Sequence, residues 1–336
     1  MTIILVVVLF VLMIFPHELG HFVAAKACGV QVNEFAFGMG PAIFSRQGKE
    51  TLYSIRLIPL GGYCAMEGED EKSESDNERA FNNKSWWQKI IILAAGAFMN
   101  IVIAAVLLSV VAGISGTPTA TVGNVQKDMP AYEAGLRAGD EVVCINGKSV
   151  KTWQDIIKEL NSEDAGKSIE ITVSRDGKNM ECTVVPQFNE EQQRYLVGIE
   201  SKLDHNPLLA VKNGCVMTKE MTGAIFDALK QLFASRDFAE NVSGPVGIVS
   251  MVSDTSTYGI MYFMYLVALI SINVALFNLL PFPALDGGRI LFVFIRLITG
   301  KAITDEMEGK VHALGMALLL GLFVFATWND IVRLLK

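Results

Sequence analysis

The sequence predicts a polytopic α-helical membrane protein with four transmembrane helices, a membrane-associated β-sheet or re-entrant loop, and an inserted extracytoplasmic α+β domain. Three observations carry that expectation. The 336 residues are 51% hydrophobic and only 19% charged, with a mean hydropathy of +0.38, far too apolar for a water-soluble chain of this size. Four segments, about residues 3–27, 88–113, 260–281 and 311–329, each approach the roughly 20 residues needed to cross ~30 Å of hydrocarbon. Between the second and third lies a long polar stretch, about 117–258, with the strand and turn signals of a soluble domain.

The first span begins at Ile3 and continues past Pro16 into Phe22-Val23-Ala24-Ala25. Ala25-Lys26-Ala27 resembles a signal-peptide cleavage site, but only Met1-Thr2 precede the apolar run and no positive n-region exists, which favours a retained span. The first connection carries Arg46, Lys49, Arg56, Lys72, Arg79 and Lys84, and the third carries Arg289, Arg296, Lys301 and Lys310. Positive charge marks the cytoplasmic side, so both connections are expected there; Arg333 and Lys336 at the far end run against this. The long connection is then extracytoplasmic, since long domains translocate largely regardless of charge.

Within the first connection, Glu34 to Gly40 and Leu52 to Pro59 read as short strands separated by glycine-rich turns and closed by Gly61-Gly62. Extended backbone at membrane depth survives only where protein covers it or where it lines a watery cavity, which places this sheet against protein or beside such a cavity. In the long connection, Ser168 to Val173 runs into Asp176-Gly177, a hairpin signal, and a short helix is expected from Thr152 to Leu160. Asn206 is placed to cap an amphipathic helix from about Pro207 to Phe233. Such a helix either packs on its own domain, or lies on the membrane surface or over the entrance to a buried site.

Chemistry concentrates at His17-Glu18-Leu19-Gly20-His21. On a helix, histidines four residues apart project from one face and can hold one metal ion, with Glu18 beside them as general base. An ionisable group inside a membrane costs on the order of 3 kcal/mol, so a carboxylate there signals function. A catalytic zinc typically takes three protein ligands, and Asp286 is the best third candidate. It follows the third apolar segment in Leu280-Pro281-Phe282-Pro283-Ala284-Leu285-Asp286-Gly287-Gly288, where prolines break the helix and free the chain to turn a carboxylate inward. By ligand type alone, iron or cobalt would suit the set as well as zinc. His205 and His312 stand alone and read as ordinary surface or helix-end histidines. The five cysteines, Cys28, Cys64, Cys144, Cys182 and Cys215, are scattered and read as free thiols. A net charge of −7 with no Lys/Arg block argues against a nucleic-acid partner. A metal transporter would need ionisable groups along a path through several helices, yet spans 88–113 and 260–281 lack internal acids or histidines, and a scaffold has no need of Glu18.

These motifs resemble the site-2 protease family of intramembrane zinc metalloproteases, and within it the bacterial regulator-of-sigma-E protease branch. The resemblance covers nearly the whole chain: the histidine motif, Gly38-Met39-Gly40-Pro41, Pro59-Leu60-Gly61-Gly62-Tyr63, Gly96-Ala97-Phe98-Met99-Asn100, Gly244-Pro245-Val246-Gly247-Ile248 and Leu285-Asp286-Gly287-Gly288. Residues 131–147 are similar to a PDZ domain of the family's type. The resemblance implies Zn²⁺ on His17, His21 and Asp286, Glu18 as the catalytic base, and Asn273 and Asn278 in contact with substrate. It implies four regions: 1–116 with the zinc motif, β loop and second span; 117–187 as the PDZ domain; 188–258 as its amphipathic continuation; and 259–336 with the third ligand. It further implies regulated intramembrane proteolysis in the bacterial plasma (inner) membrane. The substrates would be single-span membrane proteins, such as anti-sigma factors or signal-peptide remnants, already trimmed by an upstream site-1 type protease. Such a substrate unwinds locally, and an edge strand of the 34–58 sheet is expected to pair with it. Ala97 stands where the family often has proline, one PDZ-like unit is present where some relatives carry two, and no Gly-Leu-Gly-Phe carboxylate-binding loop precedes the domain.

Overall fold

A computed structural model describes residues 2–69, 77–161, 167–190, 194–234, 244–300 and 305–335. Lys72 and Lys301, part of the charge bias above, lie outside the described residues. Contacts divide the chain into two compact units, Met1–Leu108 with Gly214–Lys336, and Ser109–Asn213.

The first unit opens with α1 (Thr2–Ala27), which runs uninterrupted through Pro16. It is followed by β1 (Val32–Gln47) and β2 (Leu52–Met66), both longer than the strands expected from the sequence. Their register shifts repeatedly, so residues 34–37 pair with 52–55 on one side and with 62–65 on the other, while 42–47 pair with 52–56. Residues 34–37 are therefore interior to the sheet. The edge nearest the histidine motif is 62–66, not part of 34–58, because the chain turns at Gly61 (φ +88°) and lays a further segment alongside. Ala25, Val32, Phe35, Cys64 and Met66 share a core with Ile92 and Leu93, which locks the sheet against both flanking helices.

The second span is α2 (Trp86–Ser115). The inserted unit follows: β3 (Thr117–Val125), α3 (Pro130–Glu133), β4 (Glu141–Ile145), β5 (Lys148–Ser149), α4 (Trp153–Leu160), β6 (Ile169–Arg175), β7 (Lys178–Val184), β8 (Gln187–Asn189), β9 (Arg194–Leu196) and β10 (Ile199–Asp204). The main sheet has the order β10-β3-β4-β6-β7, with β5 on β4, over a core that includes Val122, Ile145, Ile156, Ile171 and Val173. The hairpin at Asp176-Gly177 is a two-residue turn with both φ positive, 50° and 78°, as a right-twisted hairpin requires. Thr152 and Asp155 form a reciprocal capping box at the start of α4. The sheet passes the boundary expected at 187, since β10 pairs with β3 and Asp204 lies opposite Thr117.

α5 (Pro207–Ala234) starts where expected, with the Asn206 side chain accepting from the Leu208 N–H at 2.9 Å. Its Met217, Met221 and Ile225 pack with Ala104 and Leu108 of α2 and with Ala268 and Ile272, so this part of the helix covers spanning helices. Among the described residues, the helices that follow are α6 (Pro245–Thr257), α7 (Ile260–Asn278), α8 (Asp286–Thr299) and α9 (Asp305–Leu335). Four helices among the described residues are long and apolar enough to cross a membrane: α1, α2, α7 and most of α9. α7 stops at Asn278 instead of 281, because Pro281 and Pro283 have no N–H to continue the ladder.

Candidate metal centre

The helical period of α1 puts His17 and His21 on one face, and backbone approach does the rest. A Cβ at Gly20 would strike the carbonyl of Ala95, and one at Gly96 would strike the His21 ring and lie 2.7 Å from His17 Cε1. Only glycine lets α1 and α2 meet closely enough for both rings to lie against α2. Ile92 of α2 also supplies the carbonyl 2.9 Å from His21 Nδ1. A carbonyl only accepts, so Nδ1 carries a proton, and the neutral form of the ring has its lone pair on Nε2.

The third group comes from the far end of the chain. Asp286 opens α8, and Gly287 and Gly288 follow because a Cβ at either would collide with the carbonyls of Leu279, Leu280 and Phe282. Asp286 Oδ2 lies 3.4 Å from Nε2 of both histidines, and the two Nε2 atoms are 3.3 Å apart. Oδ2 is buried and makes no hydrogen bond among the described residues. Acceptor atoms crowded this way repel one another unless a cation stands between them. His17, His21 and Asp286 form the one group among the described residues with the donor set for a metal, and the set is the nitrogen-and-carboxylate kind that zinc takes.

Glu18 reaches into the same chamber of about 420 Å³, whose walls include Tyr63, Cys64, Met66, Glu69 and Arg289. Its Cγ would lie 3.2 Å from a Cβ at Gly62, so the second glycine of Gly61-Gly62 is what leaves room for the base. Burial pushes the Cys64 thiol up to about 12, helped by the nearby Glu69 and Glu18 charges, so it lines the wall as a neutral thiol. Tyr63 is held by Arg56, which also donates to Glu34 Oε1 at 2.7 Å, and Ser54 donates to the same oxygen at 2.6 Å. Glu69 and Arg289 form an ion pair across the chamber wall.

The asparagines divide. Asn278 Nδ2 sits 3.5 Å from His17 Nε2, at the metal trio. Asn273 donates back to Leu269 O at 3.1 Å within its own helix, and no contact with the trio is found among the described residues. His205 Nδ1 lies 3.2 Å from the Gly113 carbonyl near the end of α2, a helix-end histidine as expected.

Residues 4–322 match the model of peptidase family M50. The chain belongs to peptidase family M50. A Clostridium acetobutylicum protein named as a candidate zinc metalloprotease is 39% identical over 333 residues, covering 98% of this chain and 97% of the relative. The regulator of sigma-W protease RasP of Bacillus subtilis is 31% identical over 417 aligned positions, covering 99% of each. The PDZ domain of the SdrC-like protein of Listeria innocua is 29% identical over 27% of this chain and 99% of that one, with a TM-score of 0.23. This M50 peptidase is a zinc metalloprotease with apolar spanning helices.

What sequence reading misses in the M50 peptidase is contact across distance. The motif Pro59 to Tyr63 stood as a family signature without a role; the structure lines the chamber with Tyr63 and seats Glu18 on Gly62. A depression in the inserted unit, about 300 Å³ between α4 and residues 195–201, is lined by Trp153, Ile157, Tyr195, Val197 and Ile199. Tyr195 and Leu196 at the end of β9 and Val197-Gly198 leading into β10 border it.

Proposed function

We propose that this chain hydrolyses a peptide bond in the transmembrane segment of a single-span membrane protein, with zinc held by His17, His21 and Asp286 and with Glu18 as the base. The observation that carries the reading is the convergence of three lone-pair-bearing atoms beside Glu18 on an apolar spanning helix. Zinc held there polarises a scissile carbonyl and lowers the pKa of water toward about 7. Glu18 accepts a proton from the attacking water and returns it to the leaving amine. The Ile92 carbonyl keeps His21 in the tautomer that presents Nε2.

A helical substrate hides its carbonyls, so it must open locally. The sheet edge at residues 62–66, beside the chamber, offers strand hydrogen bonds in exchange for the helical ones. Asn278 then steadies the opened segment next to His17. The charge bias of the connections favours a cytoplasmic-side active site and an extracytoplasmic PDZ-like unit in a bacterial plasma membrane. Substrates of this kind include anti-sigma factors, in keeping with the name of the Bacillus subtilis relative, and signal-peptide remnants, each first cut outside the membrane by a site-1 type protease.

The test is cleavage of a tagged single-span substrate by protein purified in detergent. Wild type should lose activity with chelator and regain it with zinc. Glu18→Gln should keep its zinc and lose roughly 10²–10⁴-fold in rate. Cleavage by Glu18→Gln at the wild-type rate would sink the assignment. Because Thr117 and Asp204 are paired neighbours, residues 118–203 can be excised and the ends joined. That deletion should let untrimmed substrates be cut if the inserted unit is a size filter, and unchanged selectivity would remove the filter from the proposal.

A further inference from the structure

The segment that delivers Asp286 is not held by α8 alone. Ala284, two residues ahead, has φ +76°, a left-handed backbone that a side-chain-bearing residue avoids without an external hold. That hold comes from α9. The Ala284 N–H donates to His312 Nδ1 at 2.8 Å, and His312 is largely buried beneath the turn. A Cβ at Gly315, one turn further along α9, would lie 2.5 Å from Pro283 Cβ, so the α9 backbone presses directly on the same turn.

The acceptor role fixes the ring. With Nδ1 receiving the Ala284 N–H, the proton of the neutral imidazole sits on Nε2, which faces Glu308 Oε1 at 3.6 Å. Glu308 is in turn bound by Arg296 of α8 at 2.6 Å, and the Phe292 ring lies tilted against His312 with centroids 5.6 Å apart. The chain of contacts therefore starts on α8, crosses to α9, and returns to the turn from which α8 begins.

We infer that His312 is a positioning residue for the third metal ligand, its Nδ1 pinning the left-handed turn at Ala284 so that Asp286 meets His17 and His21. The inference rests on the reading of Asp286 as a zinc ligand. Partners one shell out from a ligand commonly set metal affinity by 10–100-fold when removed.

The decisive pair is His312→Asn against His312→Gln in the full-length protein, with zinc affinity read by competition with a chromophoric chelator. Both variants are neutral amides. The Asn oxygen falls near the place of Nδ1 and can accept from Ala284, whereas the Gln oxygen falls near Nε2 and cannot. His312→Asn should bind zinc within about threefold of wild type, and His312→Gln at least about tenfold more weakly, with apo melting temperatures alike. Equal behaviour of the two amides overturns the inference. A second arm repeats the measurement on an Asp286→Ala background, where His312→Gln should add no further loss; an equal loss there would make His312 merely structural. Should His312→Gln fail to fold, Glu308→Gln takes its place, expected to weaken zinc binding a few-fold only when Asp286 is present, and an equal loss without Asp286 again overturns the inference. If Asp286→Ala alone binds zinc like wild type, the ligand assignment fails instead, which separates the two ideas.

Discussion

Two aspartates with buried carboxylate oxygens, one in each unit, are treated in opposite ways. In the inserted unit Asp140 is only 1% exposed, and every direction is answered: Arg175 binds it with Nε at 2.6 Å and Nη2 at 2.7 Å, and the Arg137 backbone N–H donates at 2.8 Å. In the membrane unit Asp286 Oδ2 faces two imidazole nitrogens and bonds to neither. A satisfied buried carboxylate organises a fold, while one surrounded by other acceptors is a site that requires a cation. The same residue type thus marks architecture in one unit and chemistry in the other.

The largest effects should come from exchanging the two losses. Asp286→Ala should reduce zinc affinity by at least about 100-fold while leaving the apo protein about as stable as before, since Oδ2 makes no hydrogen bond among the described residues. Asp140→Ala removes the partner of Arg175 and the acceptor of the Arg137 N–H and should destabilise the inserted unit, read as faster hydrogen exchange in β4 and β6, with zinc binding unchanged. If Asp286→Ala destabilises the apo protein as Asp140→Ala does, the distinction collapses. Next in size is Gly96→Ala, whose Cβ would displace the His21 ring; activity should fall by roughly 100-fold, the scale on which an ångström-sized misplacement acts. Wild-type cleavage by this variant would mean that the seam between α1 and α2 can yield.

Acid separates the aspartates more gently. The Arg175 guanidinium, outweighing burial, holds the Asp140 carboxyl below its ordinary range. Its folded value is depressed, so its contribution is complete above the unfolded value of about 3.9 and is lost as pH falls below that toward the folded value. Exchange in β4 and β6 should accelerate below about pH 4 in wild type, and an Asp140→Asn variant should show a flatter profile. The smallest effect expected is Thr152→Ala, which removes the cap of α4 and should cost about 1 kcal/mol locally, with no effect on zinc. A loss of zinc with either change would couple the units in a way this contrast denies.

The parts legible in the sequence are those whose cause is local. His17 and His21 are one helical turn apart, Asp176-Gly177 is the turn a tight hairpin demands, and Thr152 with Asp155 is a self-contained cap. Asp286 was legible for a related reason, as the prolines before it end α7 within sight of the sequence. What escaped depends on contacts between residues far apart in the chain. Nothing near Gly96 announces that two histidines on another helix need its missing side chain. His312 read as an isolated helix-end histidine because its partner is a backbone N–H, which no sequence pattern displays. The strand edge at 62–66 escaped because register shifts in β1 and β2 fold two strands into several segments, and a one-residue slip changes which face and which edge are presented.

The methyl-free seam at Gly20 and Gly96 also fixes how this protein can diversify. Phe98, two residues from Gly96, is 64% exposed and is free to drift among apolar residues as lipid composition changes. Gly96 has no such latitude, since even alanine brings a carbon onto the His21 ring. A deep mutational scan along α2 should therefore read as broad tolerance at exposed positions such as Phe98, apolar restriction at core positions such as Ile92 and Leu108, and intolerance even of alanine at Gly96, which carries no reactive atom of its own.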